Sequence, residues 1–250
     1  HCLIEEFMIL ANVCAARTLS EKNAACLYRV HEAPDPVKVD GLAESLQGIG
    51  VKFAKGQSIQ PKTFNNILQL TRDLNISHLV SELVLRTQSR ARYDPQNEGH
   101  FGLSLSHYAH FTSPIRRYAD LVVHRSLIRT LKMGTDGITD EATNNLQEIA
   151  ERISDLERVS ERAERDTVDR YMSLYMMKHV KDEFEARIDG VTSAGLFVIL
   201  EDIGASGLLP MRNLTDDYYQ LDGVTHTLTG QKSGRKLTLG NLIRVRLIEA

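Results

Sequence analysis

Long hydrophobic runs are missing: nowhere in the 250-residue chain do eighteen apolar residues follow one another, so the sequence offers no membrane-spanning helix. Cysteine is scarce as well. Cys2, Cys14 and Cys26 all lie within the first 26 residues, with no CxxC pair and no histidine at zinc-finger spacing. That pattern argues against a disulfide scaffold or a structural zinc, and reduced thiols in a cytoplasmic protein are expected. The opening "HCLIEEFMILANVCAA" carries acids rather than a basic leader ahead of its apolar residues, so it does not read as a signal peptide. No initiator Met opens the chain, and "GNLIRVRLIEA" closes it in a strand-like run; a piece cut from a longer protein is expected. Excess positive charge is also absent. A net charge of -3 excludes a uniformly basic nucleic-acid binder but leaves room for local patches. No repeat or low-complexity tract is visible. What remains, 42% hydrophobic and 25% charged residues, is ordinary for a globular protein of one large domain, or one with a small added module.

Periodicity divides the chain. Leu3, Phe7, Met8, Leu10, Ala11 and Cys14 recur at three-to-four spacing, which predicts a helix over the first seventeen residues with that face buried. Further helices are predicted over 37–50, 62–73, 77–90, from Pro114 to Leu131, and from Glu141 to about Val180. Prolines mark "HEAPDP" as a linker, and "YDPQNEGHFG" reads as a loop. From Glu183 the period changes to two. "FEARIDGV", "GLFVILED", "SGLLPMRNL" and "GNLIRVRLIEA" read as four strands separated by Gly and Asp turns, the size of a small OB-type barrel. The expected class is α+β: a mainly helical part, residues 1–182, then a β-barrel over 183–250.

The densest stretch is "HYAHFTSPIRRYADLVVHRSL", residues His107 to Leu127. Ser113 is a good N-cap and Pro114 suits the first helical position, so a helix is expected to start there with free N–H groups that favour anions. Arg116 and Arg117 in that first turn are out of place against the helix dipole. Asp120, four residues after Arg116, offers a structural explanation, and a bound phosphate offers a functional one. Spacing leaves both open. Between His100 and Met133 five cations (Arg116, Arg117, Arg125, Arg129, Lys132) face one acid, Asp120, with four histidines and Phe101, Tyr108, Phe111 and Tyr118 interleaved. Cations for phosphates and rings for stacking are what single-stranded nucleic acid requires. His107 and His110 lack a third ligand at suggestive spacing and are poor metal candidates.

"GHFGLSLSHYAHFTSPIRRYADLVVHR" resembles the signature of the ribonuclease II and ribonuclease R family of processive 3′-to-5′ exoribonucleases. "HCLIEEFMILANVCAAR" and "RAERDTVDRYM" are similar to family segments in the same order. "EFEARIDGVTSAGLFVILEDIGASGLLPMRNLTDDYYQLD" resembles the OB-fold RNA-binding module of the ribosomal S-one type. The resemblance implies hydrolysis of single-stranded RNA to 5′-mononucleotides with the help of Mg2+, by a monomeric, cytoplasmic enzyme acting in RNA turnover. It places a phosphate clamp on Arg116 and a catalytic glutamate on Glu164. Substrate contacts fall on Glu5 or Glu6, which would reach a ribose hydroxyl, and on His110, Phe111, Thr112, Ser113, Arg117 and Tyr118. Without the resemblance, Glu164 sits among Arg158, Glu161, Arg162, Arg165 and Asp166 as one more solvated charge, and Glu5 and Glu6 are ordinary first-turn acids.

The family's metal site rests on a D-x5-D-x-D-D cluster, because two-metal hydrolysis needs converging carboxylates. Neither Asp216 with Asp217 nor Asp166 with Asp169 has that density, so no metal ligand is assigned here. The cluster is expected upstream of His1, and the chain alone is expected to be inactive. In the strand-rich part, Gly223 to Ile248 holds Lys232, Arg235, Lys236, Arg244 and Arg246 with no acid. Phe197 stands where such modules present a stacking ring. Pro210 departs from the His common in the family, which puts a base contact there in doubt, and the module is expected to be truncated at its last strand. A non-catalytic RNA-binding protein that kept the clamp and the module is the alternative, and a helical interaction domain without an RNA role is a third.

Overall fold

The computed structural model describes residues 2–53, 59–72, 74, 76–222 and 227–250. Its elements make two compact units: His1–Asp35, Ser58–Thr63 and Gln88–Ala163 form the first, and Pro36–Gln57, Phe64–Thr87 and Glu164–Ala250 the second. This partition follows packing, whereas a single break near Asp182 marks the change from helix to strand.

The first unit contains α1 (Cys2–Glu21), β1 (Tyr28–Val30), paired antiparallel with β2 (Arg92–Asp94), then α5 (Tyr118–Leu131) and α6 (Asp140–Asn144). It takes α7 (Leu146–Met176) as far as Ala163. Alternation along the chain through β1 sends neighbours to opposite sides. Tyr28 and Val30 join Ala15, Ala16 and Leu19 of α1, whereas Leu27 joins Tyr93, Val122 and Ala150 in a second cluster. Thr139 caps α6, its hydroxyl accepting the Ala142 N–H at 3.1 Å, and Asn145 separates α6 from α7. The single helix predicted from Glu141 to Val180 is therefore two helices and a closing 3-10 turn at Met177–His179.

The second unit holds α2 (Pro36–Gly48) packed on α4 (Ser77–Thr87), and α3 (Pro61–Thr71) beyond Thr63. Asp73, at the far end of the predicted 62–73 helix, lies outside the described residues. The remainder is antiparallel sheet. β3 (Glu183–Thr192), β4 (Gly195–Leu200), β5 (Ser206–Pro210) and β9 (Leu242–Arg246) form one sheet in the order β5-β4-β3-β9. β6 (Tyr219–Asp222), β7 (Thr227–Gly230) and β8 (Lys236–Thr238) form another. Ala186, Ile188, Leu196, Val198, Leu228 and Leu237 fill the space they enclose with Met176. The β3–β4 turn requires Gly195: its φ is +143°, and a Cβ would stand 2.1 Å from the Leu209 carbonyl oxygen.

The α+β class is as expected, and three expectations are corrected. Among the described residues the two sheets do not close into a barrel, and seven strands rather than four follow Glu183. Three-residue and four-residue strands are too short to show a period of two. The face of α1 marked as buried is exposed: Leu3 is 67%, Phe7 58% and Leu10 56% accessible, whereas packing begins at Asn12. Finally, α5 starts at Tyr118 and not at Pro114; Pro114 to Arg116 form a turn, and Arg117 is extended at φ -124°, ψ 122°.

Candidate nucleic-acid interface

The loop from Tyr108 to Arg117 belongs to the first unit and is held from below at several points. Asn12 of α1, 4% accessible, donates to the Tyr108 hydroxyl at 3.1 Å and accepts the Phe111 N–H at 2.9 Å. His124 of α5 donates through Nε2 to the Phe111 carbonyl at 2.8 Å, and its ring stacks on the Phe111 ring at 4.2 Å. The His110 Nδ1 lies 2.9 Å from the Tyr93 hydroxyl. Burial, reinforced by the positive charges of Arg117 and Arg29, pushes the His110 pKa down to about 3, so the ring is neutral. His100 is pushed down to about 4, chiefly by burial and then by His31 and Arg29. Arg29 lies over the Tyr93 ring and forks onto Glu157 at 2.7 and 3.1 Å.

The two arginines have separate fates. Asp120 is fully buried and accepts three hydrogen bonds: the Ser113 N–H on Oδ1 at 2.7 Å, and the Arg117 guanidinium on Oδ2 at 2.8 Å and Oδ1 at 3.0 Å. The same carboxylate explains why the helix does not begin at Pro114, because it draws Arg117 back and ties it to Ser113 ahead of the turn. The Arg116 and Arg117 N–H groups both donate to the Ser113 carbonyl, at 3.3 and 3.2 Å. Asp120 thus partners Arg117, not Arg116 as the i, i+4 spacing suggested. Arg116 is exposed beside Ile115, and its guanidinium has no hydrogen-bond or ion-pair partner among the described residues. An unneutralised guanidinium on a fixed turn can take a phosphate without first breaking a protein contact.

The remaining candidates sit as follows. Thr112 has a buried hydroxyl with no partner among the described residues, Ser113 is half-buried, and Tyr118 is 48% accessible at the start of α5. Phe111 and His110 are engaged in holding the loop. Glu5 and Glu6 are exposed in the first turns of α1. Glu164 is exposed on α7 and belongs to the second unit. Phe197, on β4 of that unit, is 46% accessible. A bulge between Ile188 and Gly190 puts Gly190 opposite it, and a Cβ there would come within 3.2 Å of the Phe197 Cβ. The ring lines a cleft of about 550 Å³ with Arg86, Glu82, Asp189 and Ser206. Arg86 is paired with Glu82 at 2.7 Å and Asp189 at 2.9 Å. Among the basic residues of the β7–β8 turn, Arg235 pairs with Asp216 at 3.0 Å and Lys232 lies over the Tyr218 ring, whereas Lys236 is exposed on β8. Asp217 pins the turn by accepting the Ser233 hydroxyl and the Ser233, Lys232 and Tyr218 N–H groups. Those bonds hold its carboxyl far below the usual range.

Residues 1–133 match the RNB domain family. The chain belongs to the RNB family. Ribonuclease R of Aquifex aeolicus is 42% identical over 248 residues, and that of Escherichia coli 35% identical over 255. Both alignments cover 99% of this chain but only 35% and 31% of those proteins, so the chain spans about a third of the relatives it matches. Mycoplasma genitalium RNase R, solved in complex with ribose-methylated single-stranded RNA, superposes with a TM-score of 0.89 at 29% identity. That match covers 98% of this chain and 39% of the other. The RNB match includes the whole loop that carries Arg116. Among the described residues, no group of three or more His, Cys, Asp or Glu side chains could hold a metal ion. The described residues therefore do not fit the Mg2+ site that the family resemblance implies, and no step through a metal follows from them. No described helix is long and apolar enough to cross a membrane.

Asn12, Tyr93, Asp120, His124 and Arg29 are the supports that periodicity and motif spacing do not single out for this role. Only Asp120 carries a signal, since i, i+3 pairing with Arg117 is as available as i, i+4 pairing with Arg116.

Proposed function

We propose that the chain is the RNA-gripping portion of a cytoplasmic, processive 3′-to-5′ exoribonuclease that hydrolyses single-stranded RNA to 5′-mononucleotides. The observation that carries this reading is the exposed, unpartnered Arg116 on a loop braced by Asn12, His124 and Asp120. Arg116 clamps the scissile phosphate and stabilises charge in the transition state. Arg117 keeps the loop in place, Thr112, Ser113 and Tyr118 flank the phosphate, and Glu5 or Glu6 meets a ribose hydroxyl. Glu164 positions the terminal nucleotide. In the strand-rich module, of OB descent, Phe197 stacks a base and Lys232, Arg235 and Lys236 draw in the backbone. Mg2+ is held by carboxylates outside this chain, so the 250 residues bind RNA without degrading it.

Three experiments test this. Single-stranded RNA titrated with the chain from 50 to 200 mM salt is expected to show affinity that falls steeply; negligible, salt-independent affinity overturns the reading. Mg2+-dependent release of mononucleotides by the purified chain overturns its inactivity. In the longer enzyme, Arg116→Ala is expected to lower turnover far more than binding, since a transition-state clamp shows in the chemical step. Turnover left intact with affinity alone reduced counts against that role.

A further inference from the structure

A buried carboxylate stands behind the two arginines, and the structure assigns Asp120 as the positioning residue of the phosphate clamp: one side chain neutralises Arg117, ties down the turn and leaves Arg116 free. The inference rests on the reading of Arg116 as a phosphate contact.

Three observations lead to it. First, Asp120 directs all its contacts to the segment ahead of α5, with two bonds to Arg117 and one to the Ser113 N–H, and none to Arg116. A carboxylate that merely neutralised local positive charge would be solvated and shared between two adjacent guanidiniums, but this one is 0% accessible and satisfies one of them through a bidentate fork. Second, the Ser113 bond spans the turn. The Ser113 carbonyl accepts the N–H groups of Arg116 and Arg117 while its own N–H goes to Asp120, so the whole Ser113–Arg117 turn is fastened to α5 through one side chain. Third, the next anchor lies two residues upstream, where Asn12 takes the Phe111 N–H and His124 the Phe111 carbonyl. Between Phe111 and Tyr118, Asp120 supplies the side-chain anchoring bonds seen among the described residues. Without it the turn that carries Arg116 loses its fastening to α5, and a preorganised cation becomes a more mobile one that loses ordering entropy on binding.

Asp120 acts through Arg116 and does not touch RNA itself. This separates it from a stability residue in a measurable way, because its effect on affinity must vanish when Arg116 is gone. The test uses the 250-residue chain with Asp120→Asn, Arg116→Ala and the double variant. Binding to 3′-labelled single-stranded RNA is measured at a temperature where each variant is folded by circular dichroism. Asn keeps the size and one acceptor but loses the charge and half the fork. Expected are an approximately tenfold loss of affinity for each single variant and less than a twofold further loss when Asp120→Asn is added to Arg116→Ala. Losses that multiply in the double variant overturn the positioning role while leaving the phosphate clamp standing, as does undiminished affinity in Asp120→Asn. An Arg116→Ala variant with unchanged affinity overturns the clamp and the inference together. Should Asp120→Asn not fold, Asp120→Glu keeps the charge but is one methylene longer, so the Ser113 and Arg117 bonds cannot both keep their present geometry. It is then expected to lose about tenfold in affinity alone and less than twofold when added to Arg116→Ala. Undiminished affinity, or losses that multiply in the double variant, overturns the inference.

Discussion

Arg117→Ala isolates the buried pair from the exposed arginine beside it. The substitution removes both guanidinium bonds to Asp120, at 2.8 and 3.0 Å, and leaves a fully buried carboxylate holding only the Ser113 N–H. Breaking a buried ion pair by deleting one partner costs about 3–5 kcal/mol. The surviving Ser113 bond and the 21% accessibility of the Arg117 side chain put this case at the lower end, about 3 kcal/mol. That is a large part of the roughly 5–15 kcal/mol that holds a domain together. For a chain of this size it corresponds to a melting temperature lower by roughly 6–12 °C. Arg116→Ala, one residue away and exposed, is expected within about 0.5 kcal/mol of the parent. Differential scanning calorimetry of the three proteins at pH 7 and one salt concentration decides the matter. An Arg117→Ala protein melting within about 2 °C of the parent, or an Arg116→Ala protein destabilised as much, refutes the assignment of the pair.

Two further outcomes follow from the geometry. His110 is held neutral in the fold, with its pKa at about 3 against an ordinary 6.5, so the unfolded chain binds the extra proton. Its contribution to stability is complete above pH 6.5 and is lost as the pH falls toward 3, at up to about 1.4 kcal/mol per pH unit. His100, more open to solvent, adds a smaller loss of the same sign between pH 6.5 and about 4. Urea midpoints at pH 7, 6 and 5 are expected to fall in that order, and His110→Gln to flatten the trend; midpoints that rise on acidification contradict the buried, neutral imidazole. Phe197→Ala, at a 46% accessible ring, is expected to leave the melting temperature within about 2 °C of the parent. It should weaken binding of single-stranded RNA by about 1–3 kcal/mol, with no effect on an abasic ribose-phosphate oligomer. Equal losses on both ligands would show that the ring does not stack.

Much of this architecture is legible in the amino-acid sequence, and the gaps have physical causes. The longer helices are readable because each has a periodic apolar face long enough to count, as α4 and α7 do, whereas the five residues of α6 are too few to stand apart from α7. Helix type can be read for α1, but not its burial: the spacing of Leu3, Phe7 and Leu10 specifies a face without saying what covers it, and among the described residues they are exposed. β1 and β2, three residues each, are hidden because pairing between residues 28 and 94 is a long-range fact that no local pattern carries. The start of α5 escapes local rules for a related reason. Ser113 and Pro114 satisfy every one of them for a helix start, yet the buried carboxylate of Asp120 draws Arg117 and the Ser113 N–H into a different turn. The importance of Arg116 comes from motif resemblance, while its being left unpartnered is visible only in the fold, where Asp120 chooses its neighbour.

The central claim is that Arg116 meets an RNA phosphate, and it is tested most directly by the salt dependence of single-stranded RNA binding in the parent chain and in Arg116→Ala. One lost phosphate contact is expected to reduce the slope of log K against log salt by about 0.7, together with the affinity at low salt. Parallel lines of identical slope would contradict it.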